Sequence, residues 1–248
     1  MKIIDNTILI TGGATGIGFA LAESLVKAGN KVIICGRRQA KLAEAKALLP
    51  GLETFECDVT DEKQRESLFT WVKSNFGSLN ILINNAGIQR VINLKTGNRG
   101  LLDCNEEIQT NLVASICLSG LLIPLLSEKK ESAIINISSS LAYIPIATKL
   151  IYCATKAAIH TFTVCLRHQL KDTSIKVFEI IPPTVDTDLF GPRKSGINAQ
   201  KRMPPSELAE AVLPALANDQ YEIAIGDARD RVQGSRTDFY GMFNKINR

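Results

Sequence analysis

Short apolar runs alternate along this chain with longer segments in which apolar residues recur at helical spacing. In the first such segment they occupy positions 17, 20, 21, 24, 25 and 28, which form one face of a helix, and Gly29 and Asn30 end it. Further helices are predicted over residues 39–49, 61–76, 103–126, 152–171 and 206–217. Strands are predicted over residues 7–10, 31–35, 53–57, 80–83, 133–137, 175–180 and 221–225.

The predicted strands are continuous apolar runs, which are typical of a sheet that helices cover on both faces. Their alternation with helices predicts right-handed crossovers between parallel strands. We therefore expect an α/β fold in which residues 1–248 form a single Rossmann-type, doubly wound domain: a seven-stranded parallel sheet with helices on both faces.

Two polar segments interrupt this pattern. Residues 188–204 contain a Gly-Pro pair and are interpreted as a substrate loop, and residues 229–248 as a C-terminal tail or an arm that packs on a partner subunit. The loop carries basic residues that would attract an acidic substrate or, as we favour, are simply solvated: Arg193, Lys194, Lys201 and Arg202.

Composition narrows the class of protein. Hydrophobic residues make up 45% and charged residues 22% of the 248 positions, which is a globular balance. The net charge of +4 predicts neither a nucleic-acid nor a membrane partner, and residues 112–126, the most apolar run, are interpreted as a buried helix. The six cysteines form no C-x-x-C pair, which favours free thiols in a cytoplasmic protein. No metal site is predicted, because the two histidines are eight residues apart and no cluster of acidic residues or cysteines accompanies them.

A glycine-rich turn joins the first strand to the first helix. Its sequence, TGGATGIG over residues 11–18, permits a tight turn in which backbone N–H groups and the helix N-terminus face a pyrophosphate. A plain turn is the alternative, but the strand before and the helix after are the context that the motif requires. No G-K-[ST] follows, which argues against a phosphotransferase P-loop. The predicted cofactor contacts are Gly12, Thr15, Gly16, Ile17 and Gly18.

The end of the second strand indicates which dinucleotide would bind. A site for NAD usually has an acidic residue there for the ribose 2′-hydroxyl, but this chain has Gly36 followed by Arg37 and Arg38. A carboxylate would repel a 2′-phosphate, whereas a guanidinium pairs with it. We therefore favour NADP (NADPH) over NAD. The alternative, a solvated helix start, is strongest for Arg38.

Tyr152 and Lys156 are four residues apart and project from the same face of a predicted helix. A tyrosine pKa of about 10 is too high for a base at neutral pH, and a nearby ammonium is expected to lower it. Tyr152 would then give a proton to a carbonyl oxygen in reduction, or take one from an alcohol in oxidation. Alone, such a pair is also compatible with a solvated tyrosine and lysine.

Together, TGGATGIG, the NNAG at residues 84–87 and the YCATK at residues 152–156 resemble the motifs of the short-chain dehydrogenase/reductase family over most of the chain. Residues 32–37, 152–170 and 182–188 are closest to bacterial oxidoreductases of the DltE type. The resemblance implies that Ser139, thirteen residues before Tyr152, binds the substrate oxygen, although Ser138 and Ser140 leave that choice open by one position. It also implies that Lys156 binds the nicotinamide ribose.

The same resemblance implies further contacts. Asn111 would hold a water molecule in a proton relay, with a surface asparagine as the alternative. Asp58 would bind the adenine amino group next to Val59, with a capping role equally open. The segment after the fourth strand would lie along the cofactor through Asn85, Ala86 and Gly87. After the sixth strand Pro182, Val185 and Thr187 match the family's nicotinamide segment, whereas Ile181 and Pro183 replace its Asn and Gly.

These observations predict an NADP-dependent oxidoreductase that transfers a hydride between nicotinamide and a small carbonyl or alcohol substrate. The alternative is a catalytically silent NAD(P)-binding sensor or regulatory protein, which would not need Tyr152 and Lys156. The resemblance further implies a homodimer or homotetramer.

Overall fold

A seven-stranded parallel sheet organises the computed structural model of the chain, which describes residues 1–95, 97, 104–190 and 202–248. The strand order is β3-β2-β1-β4-β5-β6-β7, and each neighbouring pair is parallel. The predicted fold class is therefore confirmed. The strands are β1 (Thr7–Thr11), β2 (Lys31–Gly36), β3 (Leu52–Glu56), β4 (Leu79–Asn84), β5 (Ser132–Ile137), β6 (Ile175–Ile181) and β7 (Glu222–Ala224).

Helices connect the strands, each within a few residues of its predicted bounds, and two more helices follow the last strand. They are α1 (Gly16–Lys27), α2 (Gln39–Leu48), α3 (Glu62–Asn75), α4 (Cys104–Ile108), α5 (Ala114–Ser127), α6 (Leu150–Gln169), α7 (Pro205–Ala217), α8 (Ala228–Thr237) and α9 (Phe239–Ile246). One turn of π-helix, Gln109–Val113, joins α4 to α5, so that the long helix predicted over 103–126 is continuous but locally widened.

The core has two layers, one on each face of the sheet. Side chains alternate between them along β1: Ile8 and Ile10 lie in one layer and Leu9 in the other. The first layer packs against α1, α2 and α7, and the second against α3, α5 and α6. Apolar residues on both faces explain why the strands are uninterrupted apolar runs.

The helix from 104 to 127 is, among the described residues, long and apolar enough to cross a membrane by length and composition, with a mean hydropathy of 1.8. Half of that apolar window is buried inside the protein. Its Leu118 and Leu122 pack in the same layer as Leu9 of β1 and Leu68 of α3. These contacts assign it to the core of this domain.

The C-terminal segment is helical, although the sequence predicts only a tail or arm there. Helix α8 is almost entirely polar and buries only Ala228 and Gly234, which explains why its periodicity is weak. Helix α9 packs on α8, and Asn247 then bonds the backbone of Pro145 and Ala147 near the start of α6. The segment therefore docks on its own chain.

The predicted substrate loop, 188–204, is described only in part. A short 3₁₀ turn covers Asp188–Phe190, and a bridge pairs Val185 with Met203. Arg202 lies 3.8 Å from the carboxylate of Asp186. The loop residues Arg193, Lys194 and Lys201 lie outside the described residues.

Candidate active site

A cleft of about 490 Å³ opens at the carboxyl ends of the parallel strands. Strand β1 lies between β2 and β4, so the strand order reverses its direction at this point, where α/β sheets bind their ligands. The predicted cofactor residues that line the cleft are Gly12, Thr15, Gly16, Ile17, Arg37, Arg38, Asp58, Val59, Asn85, Ala86, Gly87, Tyr152, Lys156, Pro182 and Thr187.

Two predicted contact residues lie behind the wall of this cleft instead. Val185 is buried in the core beneath it. Gly18 packs inside the loop, where an added Cβ would come within 2.5 Å of the carbonyl oxygen of Gly12. Gly18 therefore shapes the turn, and direct contact of either residue with a ligand stays a prediction.

The glycine-rich turn is built to receive an anion. Gly12 and Gly16 have φ values of +62° and +57°, which residues with a Cβ rarely adopt. The N-cap of α1, Thr15, makes no side-chain cap, and the first turn of α1 carries no acidic residue. The amide groups at this helix N-terminus are thus open to a negatively charged group, such as a pyrophosphate.

Arg37 and Arg38 both line the cleft but have different partners. Arg37 Nη1 lies 3.0 Å from Glu106 Oε1 and 3.8 Å from Asp58 Oδ2. Arg38 Nη2 donates a 3.3 Å hydrogen bond to the hydroxyl of Thr15 in the phosphate loop. Arg37 is thus paired with carboxylates, whereas Arg38 has a neutral partner. These contacts favour Arg38 over Arg37 as the ligand of a ribose 2′-phosphate. In the sequence analysis, by contrast, the solvated alternative is strongest for Arg38.

Asp58 does not cap the helix that follows it. Its Oδ1 accepts hydrogen bonds from the amide and hydroxyl of Thr60, at 2.9 and 2.8 Å. The N-cap of α3 is Asp61, whose carboxylate accepts a 2.9 Å bond from the amide of Gln64. The capping alternative for Asp58 is therefore wrong. Its proposed contact with adenine stays a prediction.

The segment after β4 is tied to the phosphate loop. The side-chain amide of Asn85 donates to the carbonyl oxygens of Thr11 and Gly12, at 2.9 and 3.1 Å. The backbone amides of Asn85 and Ala86 donate to the hydroxyl of Thr11, each at 3.0 Å. Asn84 in turn bonds Asn136 on the neighbouring strand β5. This turn therefore steadies the sheet where the cleft opens.

Asn111 lies in the π-helical turn and is buried, which excludes the surface alternative. Its Oδ1 accepts a 2.8 Å bond from the amide of Ile88, and its Nδ2 donates a 2.9 Å bond to the carbonyl of the same residue. A Cβ added to Gly87 would lie 3.4 Å from Asn111 Oδ1 and 3.8 Å from Lys156 Nζ. Asn111 therefore clamps the loop after β4 beside Lys156, and a water relay stays a prediction.

Tyr152 and Lys156 line the cleft, and Ser139 is buried beside them, within hydrogen-bonding reach of Tyr152. The hydroxyl of Ser139 also accepts a 3.1 Å bond from the amide of Leu141. Ser138 lines the cleft as well, but its hydroxyl approaches the carbonyl of Ile180 at 3.4 Å. The contact with Tyr152 favours Ser139 among the three serines, as the spacing does.

The pKa of Tyr152 is raised well above its ordinary value, because burial disfavours the phenolate. The hydrogen bond from Ser139 acts in the opposite direction, and the charges of Cys153 and Glu107 add to the increase. Burial lowers the pKa of Lys156 to about 8, against the attraction of Glu179. The expected lowering of the Tyr152 pKa by Lys156 is therefore wrong for this arrangement, because burial outweighs the hydrogen bond from Ser139, the one cause that lowers this pKa.

Two acids on α4 belong to the site and were not predicted. Glu107 is fully buried, which raises its pKa. Its Oε1 accepts a 3.4 Å bond from the amide of Arg90, and its Oε2 has no hydrogen-bond partner among the described residues. Glu106 is half-buried and pairs with Arg37 and Arg90. The one signal in the sequence is that Glu107 lies a single helical turn before Asn111.

A second polar cluster lies on the far side of α6. His160 Nδ1 lies 2.8 Å from Glu179 Oε2 and 3.0 Å from the hydroxyl oxygen of Tyr143. The hydrogen bond to Glu179 raises the pKa of His160. Glu179 is buried and also attracts the ammonium of Lys156. His160 therefore acts on the site indirectly, through its contact with Glu179.

Comparison with known proteins agrees with this geometry. Residues 6–198 match the model of the short chain dehydrogenase family. The chain is 44% identical over 253 residues to the oxidoreductase DltE of Bacillus subtilis, covering 100% of this chain and 98% of that protein. It also resembles two solved structures. One is a short chain dehydrogenase from Burkholderia cenocepacia in complex with NADP, with a TM-score of 0.84, 24% identity and 99% of each chain covered. The other is a short chain dehydrogenase/reductase from Burkholderia phymatum in complex with NAD, with a TM-score of 0.83, 19% identity, and 100% of this chain and 98% of that one covered.

Proposed function

Because this chain belongs to the short-chain dehydrogenase/reductase family, whose members are generally NAD(P)-dependent dehydrogenases and reductases, we propose that it is an NADP-dependent enzyme acting on a small carbonyl or alcohol substrate. The observation that carries the proposal is that Tyr152 and Lys156 line the same cleft as the phosphate loop, with Ser139 buried beside Tyr152. A sensor would need the loop but not these three side chains.

Ser139, Tyr152 and Lys156 each have a separate role in the proposed reaction. When bound, the nicotinamide supplies or accepts the hydride. Ser139 positions the substrate oxygen against the hydroxyl of Tyr152, and Lys156 holds the ribose while its side chain is fixed by a 2.8 Å bond to the carbonyl of Ile137. Tyr152 carries its proton at neutral pH, so its hydroxyl is placed to donate that proton to a carbonyl oxygen in reduction, or to take one from an alcohol once it has been deprotonated.

The choice of NADP over NAD rests on the chemistry at the end of β2. Solved relatives of this fold bind either cofactor, so the fold does not decide between them. Gly36 leaves this edge without the acidic residue of NAD sites, and Arg38 lies against the phosphate loop. A guanidinium in that place suits a 2′-phosphate.

We also propose that the protein works as a homodimer or homotetramer in the cytoplasm. Ile116 on α5 and Val164 on α6 expose 40% and 41% of their surface, and exposed apolar residues on these long helices suit a contact between subunits. The cysteines, free in the structure, suit a reducing compartment. Light scattering coupled to size-exclusion chromatography should give the mass of two or four chains, and a 27.0 kDa particle would contradict the proposed oligomer.

The catalytic proposal is tested by Tyr152→Phe. The variant should bind NADPH as the wild type does, while turnover of a panel of small aldehydes and ketones falls by at least about 100-fold, the size of a lost general acid. Tyr240→Phe, at an exposed position on α9, serves as the control and should remain active. Equal turnover by wild type and Tyr152→Phe would contradict the assignment. NADPH binding without turnover of any carbonyl by the wild type would favour the sensor.

A further inference from the structure

Glu106 joins two arginines that line the cleft. One carboxylate oxygen, Oε1, lies 3.0 Å from Arg37 Nη1, and the other, Oε2, lies 2.6 Å from Arg90 Nη2. Both arginines line the cleft, Arg37 on the β2 side and Arg90 after β4. The two guanidiniums lower the pKa of Glu106, Arg90 by the larger effect. Glu106 is therefore an anion at neutral pH, placed beside the part of the cleft where the adenosine ribose is expected.

Arg37 consequently has carboxylates on two sides. Asp58 Oδ2 approaches its Nη1 at 3.8 Å, in addition to Glu106. A 2′-phosphate that approached Arg37 would have to share or displace these carboxylates and would meet their negative charge. A 2′-hydroxyl carries no charge and would meet no such repulsion. The carboxylates around Arg37 are therefore expected to disfavour the binding of NADPH but not that of NADH.

We propose that Glu106 is a specificity-determining residue that weakens the preference for NADPH over NADH. It does so from α4, an element that follows β4, and not from the end of β2 where the acidic residue of NAD sites stands. The inference rests on the proposed use of a nicotinamide cofactor and deepens it. Arg38, whose partner is the neutral Thr15, would bind the 2′-phosphate, while Glu106 limits how much Arg37 adds.

A purely structural role for Glu106 makes a different prediction. The side chain of Glu106 is 41% exposed, and ion pairs that reach solvent contribute little to folding stability. If it only held Arg37 and Arg90 in place, its loss would change the binding of both cofactors by the same factor. The ratio of the two dissociation constants separates the roles, and it can be measured without knowing the substrate.

The test is titration of wild type and Glu106→Gln with NADPH and with NADH, followed by cofactor fluorescence. The variant keeps the shape of the side chain and removes its charge. We expect the dissociation constant for NADPH to fall by about five- to tenfold and that for NADH to change less than about twofold. Adenosine 2′,5′-bisphosphate and adenosine 5′-monophosphate should show the same contrast. Glu128→Gln, just beyond the far end of α5 and exposed, is the matched control and should change neither.

Equal changes for both cofactors, or weaker NADPH binding by Glu106→Gln, would overturn the inference. Arg38→Ala tests the NADP proposal separately, since it should weaken NADPH binding and leave NADH binding nearly unchanged. If Arg38→Ala affects both alike while Glu106→Gln still shifts the ratio towards NADPH, the assignment of NADP fails and the role of Glu106 stands. If instead Arg38→Ala weakens only NADPH binding and Glu106→Gln changes both cofactors alike, the assignment of NADP stands and the role of Glu106 in specificity fails.

Discussion

The ammonium of Lys156 donates a 2.8 Å hydrogen bond to the carbonyl oxygen of Ile137, the last residue of β5. This bond fixes α6 to the carboxyl end of β5, one helical turn from Tyr152. The side chain of Lys156 is almost fully buried, and burial lowers its pKa to about 8. The cation is thus held where water is scarce, by a backbone oxygen and by the charge of Glu179.

The lowered pKa of Lys156 predicts a pH-dependent stability. Between about pH 8 and the ordinary lysine value of 10.5 the unfolded chain binds a proton that the folded chain has released. The unfolding free energy attributable to this group is therefore flat below about pH 8 and rises with pH above it, at roughly 1 kcal/mol per pH unit. We expect the difference between wild type and Lys156→Met to show this rise in urea unfolding from pH 7 to 10.

Lys171→Met, at an exposed position just after α6, is the control and should show no such rise. A wild-type minus Lys156→Met difference that stays constant or falls above pH 8 would show that the buried group does not titrate in this range.

The close packing of the phosphate loop predicts opposite effects for two glycines. An added Cβ on Gly18 would lie 2.5 Å from the carbonyl oxygen of Gly12 and 2.5 Å from the side-chain nitrogen of Asn85. We expect Gly18→Ala to lower the unfolding free energy by about 1–3 kcal/mol, and to weaken NADPH binding because the loop must shift. Urea unfolding and NADPH titration measure the two effects.

Gly120 in α5 is the matched control, because it is exposed and an added Cβ there meets nothing within 4 Å. Gly120→Ala should leave NADPH binding unchanged and be neutral or stabilising by up to about 1 kcal/mol. Unchanged stability and NADPH affinity in Gly18→Ala would show that the loop is looser than its contacts indicate.

The sheet and the helices that cover it were predictable because each carries its own periodicity. The runs around Ile8 and Ile34 are apolar on both faces, and the helix around Leu21 repeats every three or four residues. Helix α8 lacked any such signal, because it packs through Ala228 and Gly234 rather than through an apolar stripe. A helix that buries so few apolar residues has no hydrophobic periodicity by which the sequence could reveal it.

Spacing alone predicted the site only where its residues are close in the sequence, and the more distant residues were predicted through the family resemblance. Tyr152 and Lys156 share one helix, so their spacing alone places them together. The pair of Arg37 and Glu106 is separated by 69 positions and is formed by the strand order, which brings the ends of β2 and β4 to the same edge. Likewise the pKa of Tyr152 depends on burial by the whole fold, which local spacing does not report.

The two histidines of α6 allow a matched test of the cluster behind Lys156. His160 contacts Glu179 and Tyr143, the charges of Glu222 and Arg167 also act on it, and its pKa is raised above 6.5 chiefly by the bond to Glu179. A raised pKa contributes stability that is fully present below pH 6.5 and is lost as the pH rises through the folded-state value. The unfolding free energy of wild type minus that of His160→Gln should therefore be larger at pH 6 than at pH 9.

His168→Gln, exposed near the end of the same helix, should show no such difference between the two pH values. Urea unfolding of both variants and of the wild type in matched buffers measures this directly. A difference for His160→Gln that is equal at the two pH values would mean that the imidazole stays neutral beside Glu179.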